Sequence, residues 1–251
     1  MVGSGNVATQ MAAALDVPAE VCQVYSRNLE HARSLAATLE SAEPVSRPEE
    51  IDASADFYIV SVKDNAVADV IAQLPDRSNG IWLHTSGSVP AEVFEGRRSR
   101  YGVIYPLQTF NRINRLDFRH DVPLLVEGNT PETAAAVSEL ASVISDRVEP
   151  ADSARRKIIH RAAVFGCNFA NYMWLISERI LRGGGYDLSL LEPILRTTLK
   201  NAMAIGPEKA QSGPARRGDT TIIEAHAALL PEKEAEIYRM ISSEIMKHYN
   251  E

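Results

Sequence analysis

Small and apolar residues recur at helical spacing over 7–15, and the apolar run over 21–25 reads as a strand. Residues 29–39 carry a helical pattern with Asn28 placed as its cap. Asp56-Phe57-Tyr58-Ile59-Val60-Ser61-Val62 is a continuous apolar run of the kind expected for a strand buried on both faces, and Asp64 opens a helix through Leu74. The pattern then repeats. Residues 80–84 and 101–105 read as strands, followed by the polar turn Thr85-Ser86-Gly87-Ser88 and by Pro106-Leu107-Gln108-Thr109-Phe110. Late strands over 122–126 and 147–149 flank a helix over 131–144. Strands alternating with helices predict an α/β domain over 1–150.

From Asp152 onward the strand signals stop. Residues 153–182 are helical in period for most of their length, until Gly183-Gly184-Gly185 breaks the pattern. Further helices are expected over 188–203, 220–229 and 232–249, separated by Pro207 and by a Gly- and Arg-rich loop over 213–219. A helical domain over 151–251 has several apolar faces to bury, which predicts a homodimer formed through it.

The first helix is preceded by Gly3-Ser4-Gly5-Asn6-Val7-Ala8, a G-x-G-x-x-A run. In a dinucleotide-binding βαβ unit the first glycine makes the strand-to-helix turn and the second lets the backbone approach the pyrophosphate. The third small residue allows close helix–strand packing. The apolar run over 21–25 ends in Ser26-Arg27, where an Asp or Glu would bind a free ribose 2'-hydroxyl; a hydroxyl and a guanidinium suit a 2'-phosphate, so the cofactor read here is NADP. Only Met1 and Val2 precede Gly3, although the fingerprint normally follows a strand of about five or six residues. The expectation is a natural start upstream of Met1, with the strands on either side of the missing one exposed in this chain.

Composition changes the picture little. At 45% hydrophobic, 24% charged and a net charge of -7, the 251 residues suit one or two soluble domains and argue against general nucleic-acid affinity. No apolar run is long enough to span a membrane. Cys22 and Cys167 lack C-x-x-C spacing and sit in apolar runs, so both are expected as buried free thiols in a reducing cytoplasm. Neither the histidines nor the carboxylates form a metal-ligand pattern, so no metal is expected.

In an open α/β sheet the ligand lies outside the carboxyl ends of the strands. Ser61-Val62-Lys63-Asp64, His84-Thr85-Ser86-Gly87-Ser88 and Gln108-Thr109 fall there. Val62 and Thr85 are placed beside the cofactor, and Ser86 and Gln108 beside the substrate. His84 and Ser86 equally suit a self-satisfied turn. On the long helix Lys157, His160, Asn168 and Asn171 fall within roughly an 80° arc at about 100° per residue. Such a stripe can bind substrate or can hydrogen-bond neighbouring helices. For a reductase, His160 or Lys157 is the candidate proton donor and Asn168 orients the reacting group, with Asn171 beside the substrate. Lys200 and Arg217 are candidates for an anionic substrate group, while Arg216 reads more simply as a surface contact. Arg217, Asp219 and His226 stay open between site and structure.

These motifs converge on a family. Gly3-Ser4-Gly5-Asn6-Val7-Ala8, His84-Thr85-Ser86-Gly87, Tyr105-Pro106-Leu107-Gln108-Thr109-Phe110, His160-Arg161-Ala162-Ala163-Val164-Phe165 with Asn168-Phe169-Ala170-Asn171, and Gln211-Ser212-Gly213-Pro214-Ala215 with Arg217 and Asp219 resemble the bacterial Rossmann-like and DUF2520 domain proteins. The resemblance implies an NADP-binding Rossmann-like domain joined to a helical dimerisation domain. That arrangement is similar to pyrroline-5-carboxylate reductase, the coenzyme F420-dependent NADP oxidoreductases and the C-terminal fold of 6-phosphogluconate dehydrogenase. Some members look like alternative ketopantoate reductases, which implies a carboxylate-bearing 2-keto acid. The expected function is an NADP-dependent oxidoreductase acting on a small carbonyl or imine acid; the alternative is a non-catalytic NADP-binding sensor or assembly protein.

Overall fold

The computed structural model describes residues 1–75, 79–111 and 113–250. Its contacts divide the chain into two compact units, Met1–Cys167 and Asn168–Glu251. In the first, α1 (Asn6–Ala19) leads into β1 (Gln23–Tyr25), α2 (Leu29–Ala36), β2 (Glu43–Val45), β3 (Phe57–Val60), α3 (Val67–Gln73), β4 (Ile81–His84) and β5 (Tyr101–Pro106). A single turn, α4 (Phe118–Asp121), precedes β6 (Leu124–Gly128), α5 (Pro131–Ser142), β7 (Val148–Pro150) and α6 (Ser153–Ala163).

β1 pairs with β2, and β3 to β7 pair in sequential order; every pairing is parallel except β5 with β6. The expected central strand is reduced to Val2, which bridges Tyr25 on one side and Val60 on the other. Val2 N–H donates to Ile59 O at 2.8 Å, Ser61 N–H to Val2 O at 2.7 Å, and Gly3 N–H to Tyr25 O at 2.8 Å. The neighbouring strand edges are therefore joined rather than left open, because each edge of one short extended segment meets a parallel partner.

Local sequence explains most elements. Ala8, Met11, Ala12 and Leu15 repeat at helical spacing along α1 and are all buried in the core. Asn28 caps α2 by accepting from Glu30 N–H at 2.9 Å, and Thr130 caps α5, which has Pro131 in its first turn. The strand expected over 21–25 is shorter, and this corrects the expected burial of Cys22: it lies before β1 and is exposed, as is Cys167. β2, with Pro44 at an edge, carries no apolar run by which sequence would find it. On the sheet, Tyr58 and Trp82 stack 4.3 Å apart, and Arg98 lies 4.3 Å over the Trp82 ring.

The first unit runs past the expected junction at 150 because α6 is fastened to it. Asp152 caps α6 through Arg155 N–H at 2.8 Å, and fully buried Arg156 pairs with Glu127 of β6. The expected helix over 153–182 is interrupted by a π-helical segment, Val164–Phe169.

The second unit holds α7 (Ala170–Gly183), α8 (Glu192–Ile205), α9 (Pro207–Ala210), α10 (Thr220–Ala227) and α11 (Glu232–Asn250). Pro207 starts α9 rather than merely separating two helices, since a proline in the first turn leaves no helical hydrogen bond unmade. Ala215, Ile223, Ala227 and Ala235 are buried in this unit, while Trp174 on α7 is 40% exposed.

Candidate functional site

Residues Gly3, Ser61, Thr85 and Tyr105 come at or just beyond the carboxyl ends of Val2, β3, β4 and β5, which run parallel and so share one sheet edge. Gly3 has φ +116°, and a Cβ there would lie 2.1 Å from Ser61 O, so the turn itself requires glycine. At Gly5 a Cβ would meet nothing within 4 Å. Its backbone begins α1 without a side-chain cap. The fold therefore leaves a helix N-terminus approachable at Gly5, which fits a pyrophosphate. Ala8 has no exposed surface, the close packing asked of the third small residue.

Ser4 Oγ donates to Ser26 Oγ at 3.4 Å, which links the glycine loop to the end of β1. Arg27 follows, exposed and without an ion pair among the described residues. A hydroxyl pair beside an available guanidinium fits NADP better than NAD. Asn6 Nδ2 donates to Phe110 O at 3.2 Å and Val62 packs beside Gly3, whereas Val7 begins the first turn of α1. Thr85 is buried, with Oγ1 donating to Ser61 Oγ at 3.1 Å.

The turn after β4 is internally satisfied. His84 Nδ1 accepts from Ser86 N–H at 3.1 Å. Burial, reinforced by the positive charge of Arg156, pushes the His84 imidazole down to about 4. Ser86 Oγ accepts from Ser88 N–H at 3.1 Å and Val89 N–H at 3.0 Å, so it serves the turn. Ser88 Oγ donates to Asp64. Arg156 donates to Val89 O at 2.8 Å and to Ser153 Oγ at 3.2 Å, and Ser153 Oγ accepts from Ala91 N–H at 3.0 Å.

One turn along α6, His160 reaches the same edge. Its Nδ1 is 2.9 Å from Tyr105 Oη, and the two rings meet edge to face. Gly87 makes this approach possible, since a Cβ there would lie 2.6 Å from His160 Nδ1 and 2.8 Å from Tyr105 Cζ. Burial raises the Tyr105 phenol above its ordinary value; the charge of Asp64 adds to the shift and that of Arg156 opposes it.

The remaining expected residues are not gathered with this pair within the first unit. Lys157 is exposed on α6. Gln108 is exposed, with Nε2 donating to Asp121 O at 2.9 Å and Oε1 accepting from Thr109 N–H at 2.8 Å, so its amide already serves its own loop. The arc calculation does not carry to Asn168 and Asn171, because a π segment takes more residues per turn than an α-helix and breaks the 100° phase. Both belong to the second unit, where they are exposed, as are Lys200 and Arg217. Asp219 caps α10, Arg216 lies 4.3 Å over the Tyr249 ring, and His226 Nδ1 is 2.9 Å from Tyr238 Oη. A cavity of about 680 Å³ between α1, α2 and the segment around Arg115 includes Ser4 and Asn6 in its wall but not Tyr105, Gly87 or His160.

Sequence reasoning gave Tyr105 no role, although it named the residue as the end of a strand and the start of the Tyr105-Pro106-Leu107-Gln108-Thr109-Phe110 motif; that place at a strand end was the available signal.

The family described as NADP oxidoreductase, coenzyme F420-dependent, matches residues 1–83, and the domain of unknown function DUF2520 matches 122–245. No curated protein matches the chain. Among solved structures, a "putative NADP oxidoreductase" from Bacteroides fragilis is 35% identical, with 98% of this chain and 96% of that one covered and a TM-score of 0.88. Protein TM1727 from Thermotoga maritima is 22% identical over 98% of this chain and 95% of that one, with a TM-score of 0.75. A reductive aminase from Aspergillus terreus, in complex with NADPH and ethyl levulinate, is 18% identical over 98% and 91%, with a TM-score of 0.72. These last two share the fold. With the glycine loop, the Ser26-Arg27 end of β1 and the Bacteroides fragilis relative taken together, this chain belongs to the NADP-dependent oxidoreductases that join a Rossmann-like domain to a DUF2520 domain.

Proposed function

We propose that this protein reduces a small carbonyl or imine acid with NADPH, as a cytoplasmic homodimer. The observation that carries the reading is the His160–Tyr105 pair, a proton source held at the sheet edge that also bears the dinucleotide loop. The Aspergillus terreus neighbour holds NADPH with ethyl levulinate, a keto ester, which favours a carbonyl-bearing substrate here as well. Gly3, Ser4, Gly5, Asn6 and Val7 line the pyrophosphate, with Ser26 and Arg27 at the 2'-phosphate and Val62 and Thr85 beside the nicotinamide half. Lys200 and Arg217 are the cations proposed for an anionic substrate group, Asn168 the amide proposed to orient the reacting carbonyl, Asn171 a substrate contact, and Lys157 the alternative proton donor. Large exposed apolar residues of the second unit, Leu199 at 61% and Met203 at 77% on α8, support association of two copies.

The test is calorimetric binding of NADPH and NADH, followed by NADPH oxidation with a panel of 2-keto acids including ketopantoate, each with and without an amine. NADPH-selective binding and oxidation by an acid is expected. Oxidation only by uncharged carbonyls or imines removes the anionic group from the reading, and no NADPH binding removes the reductase itself.

A further inference from the structure

We infer that Tyr105 is the group that gives the proton to the substrate and that His160 restores it, so that the two act as a relay at the carboxyl end of β5. The inference rests on the reductase reading above. His160 Nδ1 is turned to Tyr105 Oη at 2.9 Å and is thereby already engaged. A phenol has one proton to give and two lone pairs to accept with. When the imidazolium Nδ1–H donates into one lone pair, the phenolic proton is left for a third partner. Tyr105 is half-buried at the strand end, and Gly87, lacking a side chain, leaves the pair unobstructed.

The surroundings suit a neutral donor. Burial and Asp64 hold the Tyr105 phenol in its protonated form, while the buried Arg156 guanidinium offsets the cost of a phenolate when one forms; Cys167 is the remaining titratable neighbour. Bound NADPH supplies the hydride, whose C–H bond breaks as a C–H bond forms at the carbonyl carbon, so the nicotinamide is oxidised and the carbonyl reduced. The Tyr105 O–H bond breaks as an O–H bond forms on the carbonyl oxygen. The phenolate then takes the Nδ1 proton of His160, and water returns a proton to the half-buried ring.

The experiment compares the whole protein with Tyr105→Phe and His160→Gln. In the cofactor-free protein carrying 13Cζ-labelled tyrosine, the Tyr105 resonance is expected to shift in His160→Gln, which takes the imidazole away from its 2.9 Å contact with the phenol. NADPH affinity stays within threefold in both variants. With the acceptor found in the panel, kcat falls about 100-fold or more in Tyr105→Phe, and by less in His160→Gln, with KM little changed. A Tyr105 resonance unmoved by His160→Gln, or a Tyr105→Phe enzyme within threefold of wild-type kcat, overturns the relay while leaving the reductase standing. A wild type that binds no NADPH removes the reductase reading and the relay with it.

Discussion

Arg156 on α6, without accessible surface, is ion-paired to Glu127 on β6, whose side chain is 15% exposed. The same guanidinium holds Val89 O, so one side chain fastens the helix bearing His160 to the turn bearing Gly87. Arg156→Ala leaves a largely buried carboxylate without its cation and is expected to cost about 3–5 kcal/mol of unfolding free energy. Arg156→Lys keeps the charge but not the fork and costs about 1–3 kcal/mol. Urea unfolding measures both, and a loss below about 1 kcal/mol for alanine would remove the fastening role.

His84 gives the fold a pH dependence of definite sign. The folded imidazole stays neutral down to about pH 4, against an ordinary value of 6.5. Between those values the unfolded chain binds the extra proton, so stability is full above about 6.5 and falls by up to roughly 3 kcal/mol as pH drops through the window. His84→Asn should flatten that part of the urea-stability profile between pH 7.5 and 4; an unchanged slope would assign the loss to other groups.

Gly3 and Gly5 are two residues apart, but the turn itself requires glycine only at Gly3. Gly3→Ala forces a Cβ against Ser61 O at a positive φ and is expected to destabilise by about 1–3 kcal/mol. Gly5→Val meets open space and is expected to leave the melting temperature within a few degrees while weakening NADPH at least tenfold. Thermal unfolding read beside calorimetry separates them, and equal effects on both readouts would contradict the assignment.

Arg27→Ala removes the exposed cation after β1. NADPH affinity is expected to fall about 10–100-fold, the worth of a charged hydrogen bond to phosphate, with NADH affinity nearly unchanged. Parallel losses for the two nucleotides would place Arg27 away from the 2'-phosphate.

Leu199→Glu together with Met203→Glu puts two charges on the exposed apolar stripe of α8. Sedimentation is expected to convert a dimer to a monomer with helical content retained. A doubly substituted protein that still sediments as a dimer locates the interface elsewhere.

Much of the fold was legible because its signals are local. The apolar spacing of Ala8, Met11, Ala12 and Leu15, the cap at Asn28 and the pairing of Thr130 with Pro131 each act within a few residues. What escaped was long-range or phase-dependent. Glu127 and Arg156 are partners across 29 positions, Tyr105 and His160 across 55, and nothing in the intervening sequence encodes either meeting. The antiparallel pairing of β5 with β6 was equally silent. The π segment defeated the helical wheel from within, since Val164-Phe165-Gly166-Cys167 reads as ordinary apolar helix while its wider turns do not keep the 100° spacing. Ser86 and Gln108 do follow the ends of β4 and β5, but their side chains answer to their own turns first.

The chain carries two tryptophans, one in each compact unit. Trp82 is 1% exposed in its stack between Tyr58 and Arg98, and Trp174 is 40% exposed on α7. The protein thus contains a separate optical channel for each half. A collisional quencher such as acrylamide will reach Trp174 while sparing Trp82, so emission followed during denaturation, in the full chain and with either indole replaced by phenylalanine, reports whether the halves melt as one cooperative body or in succession, with no label added.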